Sequence, residues 1–258
     1  MHHIMECIPK FQIQSIQSLY IEPRFNGEKL SSATGFLAKT KTGYALITNR
    51  HVVTGIDQNT NACLSKTCGI PNQLAIWHNH KDGPGKWVER VESLKTGDDE
   101  PVWFEHPTLG GKADFVAIKL TDINDVTFRP SNLGFGEKAI KLEVTDKVSV
   151  VGFPFGEKTA DGLAIWATGS IASEPNYDHH DLPIFLIDCR SRQGQSGSSV
   201  LAYRSGSDVA YFEDGSISAN GIPHVNFLGI YSGRINSESD LGYVWKAVAI
   251  RELIASIC

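Results

Sequence analysis

Arg192 to Tyr203 reads RQGQSGSSVLAY, a polar turn in which Gly194 and Gly197 bracket Ser196 and which runs directly into an apolar stretch. Glycine permits tight bends, and Val and Tyr favour extended backbone. The segment therefore predicts a sharp loop feeding a strand from Ser198 to Tyr203. Working outward, the same alternation of short β-branched or aromatic runs with Gly, Pro, Asn or Asp punctuation recurs along the chain. The first half offers strands at Phe11 to Ile21, Ala33 to Lys39, Tyr44 to Thr48, Gln73 to His78, Trp87 to Leu94 and Phe115 to Leu120. The second offers Lys147 to Gly152, Ala164 to Ala172, Ile184 to Asp188, Ser198 to Tyr203, Asn226 to Tyr231 and Gly242 to Trp245.

Between the halves, Phe128 to Lys138 (FRPSNLGFGEK) has the Pro, Asn and Gly content of an exposed crossing. The predicted architecture is all-β, with two six-stranded antiparallel β-barrels spanning residues 1–130 and 131–258. A helix closes the chain, where Trp245, Ala249, Leu253 and Ile257 recur every fourth residue beside Val248 and Ile254 and are expected to cap the second barrel. Arg204 to His224, polar and rich in Gly and Ser, reads as a surface insertion.

Composition narrows the function classes. Hydrophobic residues at 41% and charged residues at 21% describe an ordinary globular protein and exclude disorder. The net charge of −5 is spread without long runs of one sign, so nucleic acid is not an expected partner. No run of about 18 apolar residues predicts a membrane span, and Met1 to Lys10 lacks the basic and apolar regions of a secretory signal. A cytoplasmic location is expected. The five cysteines, odd in number and scattered, read as reduced thiols, with Cys63 and Cys68 in a structural loop. His78, His80 and the run Asp178 to Asp181 (DHHD) lack a further ligand pair and read as solvated connections, so neither metal nor cofactor is expected.

A serine nucleophile needs a base, a group that holds the base, and donors for the developing oxyanion. Ser196 supplies the first requirement. Leu46 to Gly55 (LITNRHVVTG) presents His51 after an apolar strand, and Ala113 to Leu120 (ADFVAIKL) presents Asp114 just before another. Each alone fits a turn or strand end; together, in the order His, Asp, Ser, they point to nucleophilic hydrolysis.

These three segments resemble the trypsin-like serine peptidases, especially the bacterial branch that includes the HtrA proteases, where TN-x-HVV, D-[apolar]-A-[apolar] and G-x-SG segments recur. The resemblance implies a chymotrypsin-like double barrel and an endopeptidase acting on protein or peptide substrates in an intracellular regulatory or defence role. It makes His51 the base, Asp114 its orienting carboxylate, Ser196 the nucleophile, and the amides of Gly194 and Ser196 the oxyanion hole. Leu228 to Arg234 (LGIYSGR) resembles the strand that binds substrate backbone, which makes Tyr231, Ser232, Gly233 and Arg234 substrate-binding candidates together with Arg190 and Gln193. Arg190 and Arg234 either accept an acidic side chain next to the cleaved bond or turn to solvent and to carboxylates such as Asp188. Gln195 stands where members activated by cleavage carry an Asp, so no activation by N-terminal cleavage is expected. Two readings stand beside the peptidase: a catalytically silent binding module of the same fold, and an esterase or lipase using the same triad, which mostly occurs on α/β-hydrolase folds with Ser preceding His in the chain. A regulatory protein partner is compatible with the enzyme.

Overall fold

The computed structural model describes residues 11–257 apart from Lys66, Pro84, Asp122, Ala160 and Ser237. The expectation for Met1 to Lys10, and Cys7 and Cys258, lie outside the described residues.

Strands dominate. The first sheet contains β1 (Ser18–Phe25), β2 (Glu28–Lys29), β3 (Ala33–Lys39), β4 (Tyr44–Thr48), β5 (Gln73–Asn79), β6 (Trp87–Ser93), β7 (Trp103–Phe104) and β8 (Val116–Lys119). They pair in the order β6-β5-β1-β3-β4-β8-β7, with β2 attached to β1. A closed six-stranded barrel follows, built from β9 (Lys147–Gly152), β10 (Ile165–Ile171), β11 (Ile184–Asp188), β12 (Ser199–Arg204), β15 (His224–Arg234) and β16 (Leu241–Lys246). A small hairpin, β13 (Ala210–Tyr211) with β14 (Ile217–Ser218), lies between β12 and β15. The insertion is thus more ordered than its polarity suggests, because Ala210 and Phe212 are buried against Ile140 and Ala202.

The expectation of two closed barrels needs correction, since the first sheet curls without closing. Between β6 and β7 regular strand pairing gives way to a turn across which Lys95 and Pro101 face each other as an isolated bridge. Two backbone bonds, Thr96 N–H to Glu100 O at 2.8 Å and Val102 N–H to Leu94 O at 3.2 Å, hold that turn. Side chains carry the rest: the buried Glu92 carboxylate accepts from Thr121 N–H at 2.8 Å and Thr121 Oγ1 at 2.6 Å.

Period-two alternation explains why the strands of the first sheet are apolar on both faces. Leu19 and Ile21 of β1, Leu37 of β3, Leu46 of β4 and Val116 and Ile118 of β8 fill the curled sheet. Their neighbours Tyr20, Phe36, Ile47, Phe115 and Ala117 point the other way and meet Phe153, Phe227 and Trp245 of the barrel. Phe36 lies edge-on to Phe227 at 5.3 Å and Phe115 to Trp245 at 5.4 Å. The barrel has its own interior of Val148, Val150, Phe185, Ile187 and Val200. The shared aromatic layer fixes the two units face to face, with a crevice along their junction.

Three α-helices are described. The segment expected as a strand from Phe11 begins instead with α1 (Gln14–Gln17), and α2 (Arg50–Thr54) follows β4. The terminal helix α3 (Ala247–Ser256) buries Ala249, Ile250, Leu253 and Ile254 as its stripe requires, while Val248 turns outward. It does more than cap the barrel: it joins the shared layer, and Glu252 reaches His106 Nε2 at 3.1 Å. No described helix is long and apolar enough to cross a membrane.

Candidate active site

His51 sits on a single helical turn. Asn49 remains extended at the N-cap and its side-chain amide donates to Asp114 O at 2.7 Å. Gly55 ends the turn in the left-handed region, φ 69°, with its N–H on His51 O at 3.0 Å. A Cβ there would lie 2.7 Å from Pro71 Cδ, so glycine is required on both counts.

Asp114 is buried immediately before β8 and accepts three hydrogen bonds. His51 N–H reaches Oδ1 at 2.9 Å, His51 Nδ1 reaches Oδ2 at 2.7 Å, and the Ser232 hydroxyl also donates to Oδ2. An ionised carboxylate can only accept, so Nδ1 carries the proton and Nε2 is left as a lone-pair acceptor. Burial works against a charged imidazole at His51; the Asp114 charge, its hydrogen bond and the more distant Asp57 outweigh it and raise the pKa above the ordinary value.

Ser196 lies at the junction of two clefts, both lined by His51 as well. One, of about 320 Å³, runs past Asp114, Ser232, Gly233 and Arg234. The other, of about 130 Å³, runs past Gln193, Gly194, Val52 and Pro71. Among the described residues no hydrogen bond joins the Ser196 hydroxyl to His51. Such contacts commonly tighten only when substrate is bound.

The serine loop is held from the first sheet. Thr34 Oγ1 donates to Gly194 O at 2.9 Å and accepts from Phe153 N–H at 3.1 Å, and Thr34 N–H donates to Ser196 O at 2.8 Å. Gly194 and Gly197 have φ of 94° and 85°, and added Cβ atoms would lie 2.3 Å from Phe153 O and 2.0 Å from Thr34 O. Buried Gln195 accepts from Arg192 N–H at 2.6 Å through its side chain. Phe155, itself at φ 56°, donates its N–H to Gln193 O at 2.5 Å. In a planar trans peptide, C=O and N–H point in opposite directions, so fixing the Gln193 carbonyl on one side aims the Gly194 N–H to the other. Among the described residues, the N–H groups of Gly194 and Ser196 donate to no protein acceptor.

The structure separates the substrate-binding candidates. Ser232, Gly233 and Arg234 line the larger cleft and Gln193 the smaller. The Tyr231 side chain is buried in the barrel, with its hydroxyl on Ser191, and its backbone pairs with Gly197 and Ser198. Arg190 is 86% exposed and leans toward Asp240, not Asp188, which places it away from either cleft. Sequence reasoning passed over Thr34 and Phe155, whose contributions run through backbone contacts that no motif records. His179 and His180, read as solvated, line the larger cleft, and His78, also read as solvated, is fully buried. No cluster of three His, Cys, Asp or Glu side chains among the described residues is arranged to hold a metal.

Comparison with known proteins places this geometry in context. Rv3671c from M. tuberculosis H37Rv, solved as a serine-to-alanine mutant in an inactive form, superposes with a TM-score of 0.50 at 14% identity, covering 93% of this chain and 86% of that one. The serine endoprotease from Yersinia pestis gives 0.49 at 13% identity, covering 96% and 68%. Among curated proteins, the cobalt import ATP-binding protein CbiO of Syntrophus aciditrophicus (strain SB) matches at 28% identity over 120 residues; this chain spans 43% of that relative's length, and the match covers 43% of this chain. The sequence contains no G-x-x-x-x-G-K-[ST] phosphate loop, and that match assigns no family. The model of the trypsin-like peptidase domain matches residues 33–210, which include His51, Asp114 and Ser196. With more than half its length accounted for by that model, the chain belongs to the trypsin-like peptidase domain family and is a trypsin-like serine peptidase.

Proposed function

We propose that the chain is a serine endopeptidase in which His51, Asp114 and Ser196 act as a catalytic triad, with residues 1–130 and 131–258 as the two units that supply it. One observation carries the reading: Asp114 holds His51 by two hydrogen bonds, which leaves Nε2 free to accept at the crevice where Ser196 lies. His51 takes the Ser196 proton as the oxygen attacks the peptide carbonyl, and Asp114 stabilises the imidazolium so formed. The amides of Gly194 and Ser196 receive the oxyanion. His51 then returns the proton to the leaving amine, and water hydrolyses the acyl-enzyme by the same steps in reverse order. Loss of Ser196 or His51 from such a unit costs on the order of 10⁶ in turnover.

The substrates are proteins or peptides. A silent binding module would have no use for an imidazole whose free nitrogen and pKa are tuned in this way. The test is covalent labelling by a fluorophosphonate. The unsubstituted chain is expected to label, while Ser196→Ala and His51→Ala do not; absence of labelling in the folded, unsubstituted chain overturns the proposal.

A further inference from the structure

We propose that the larger cleft is a recognition site for a large apolar side chain on the acyl side of the cleaved bond, and that the turn at His179 to Leu182 is its specificity-determining element. The inference rests on the triad reading and on Ser232 to Arg234 as the strand that takes the backbone preceding the cleaved bond, because the larger cleft runs past both Ser196 and that strand.

The cleft exists because of Gly233. This residue lies on the strand beside Ser196, and a Cβ added to it would meet nothing within 4 Å, so the space over the strand is open. Beneath that space the wall is apolar. Leu182, Ile184, Tyr243 and Trp245 line it from the barrel side, and Leu64 lines it from the loop between α2 and β5. The cleft can therefore remove a ring or a branched aliphatic chain from water, which is favourable in proportion to the apolar area covered.

The turn adds an independent observation. His179 and Leu182 exchange backbone hydrogen bonds at 3.1 Å in both directions, and the two residues between them, His180 and Asp181, both have positive φ, 52° and 58°. That is the geometry in which hairpins ordinarily use Asn-Gly, and left-handed backbone is strained for a residue with a Cβ. The strain has a visible product. It folds His179 back so that its ring lies 4.1 Å from that of His180 and 5.9 Å from that of Tyr243, forming the outer lip of the cleft. Burial and the neighbouring His180 hold the His179 pKa below the ordinary histidine value, so at neutral pH the ring is an uncharged aromatic surface.

A cationic rim offers the competing specificity. Lys112 and Arg234 also line the cleft, yet Asp57 does so too, so the rim carries charges of both signs beside the apolar wall.

The experiment measures binding to Ser196→Ala, which needs no turnover. Peptides of the form acetyl-Ala-Ala-Xaa-Ala with a free carboxylate, where Xaa is Phe, Leu, Gly, Asp or Lys, are titrated by calorimetry. Phe and Leu are expected to bind at least tenfold more tightly than Gly, Asp or Lys, and adding Tyr243→Ala is expected to shrink that ratio below about threefold. Tightest binding by Asp or Lys, equal binding by all, or no binding by any overturns the proposal. The paired change His180→Asn with Asp181→Gly relieves the backbone strain. It is expected to raise Tm while lowering the Phe-to-Gly ratio, whereas a purely structural turn would move Tm alone. Fluorophosphonate labelling of the unsubstituted chain reports separately on the triad, so failure of one proposal is distinguishable from failure of the other.

Discussion

Thr34, in the first sheet, donates its hydroxyl to the carbonyl oxygen of Gly194, in the barrel, at 2.9 Å. Both groups are buried, and the same Thr34 oxygen accepts from Phe153 N–H. Thr34→Val keeps the shape and removes the hydroxyl, leaving a carbonyl and an amide unpaired in the interior. Two orphaned groups are expected to cost about 2–5 kcal/mol of stability, read as a lower midpoint in urea. Because the loop they anchor carries Ser196, kcat is expected to fall at temperatures where the variant is still folded.

The proposed base, His51, sets the expected pH response. With its pKa raised by Asp114, His51 is protonated and inactive below that value, so kcat/KM is expected to climb with pH through a midpoint above 6.5. Asp114→Asn should shift the midpoint downward and lower kcat by roughly 10⁴, the loss expected when the wrong tautomer is held. The stability contributed by the raised pKa has the opposite pH course: it is complete below 6.5 and is lost as pH rises through the folded-state value. A pH–rate profile for both proteins checks the sign and the direction of the shift.

Acid should weaken the fold through a different histidine. His78 is fully buried with neither ring nitrogen partnered among the described residues, and burial, aided by the Arg90 charge, depresses its pKa to about 4. The unfolded chain binds a proton that the folded chain refuses, so stability is lost as pH falls from 6.5 toward 4. The integrated effect is roughly 3 kcal/mol. Melting at pH 7 and 4.5 should show a large drop for the unsubstituted chain and a smaller one for His78→Leu.

The peptide between Gln193 and Gly194 offers a separable test. Phe155→Gly retains the N–H that holds the Gln193 carbonyl and suits φ 56°, so activity is expected to persist and Tm to hold or rise. Phe155→Pro removes the donor and forbids that φ. It is expected to cost 10²-fold or more in kcat, the usual price of a lost oxyanion donor, with KM changed far less.

The sequence made the strands legible because β-branched runs ended by turn residues leave little alternative, and most strand ranges match within a residue or two. Closure of the first sheet was not legible. It depends on how far β6 and β7 pair beyond the Lys95–Pro101 bridge and on Glu92 finding Thr121, neither of which a local motif records. The helix bearing His51 was hidden for a local reason, since Val52 and Val53 favour strands and only the cap at Gly55 and contact with Asp114 hold them in a turn. At the candidate site, the three motif residues were readable from their glycine, strand and turn settings. The cleft wall was not, because Leu182, Tyr243 and Leu64 come together only when the units dock.

The hydroxyl of Ser232 resting on Asp114 ties the charge beside the imidazole to a strand of the opposite unit. Each half can therefore be well folded and still chemically mute. Slight parting along the aromatic seam would disarm the molecule long before either sheet melts, so heat or denaturant should silence it in advance of any spectroscopic sign of unfolding, and rejoining the halves should restore it.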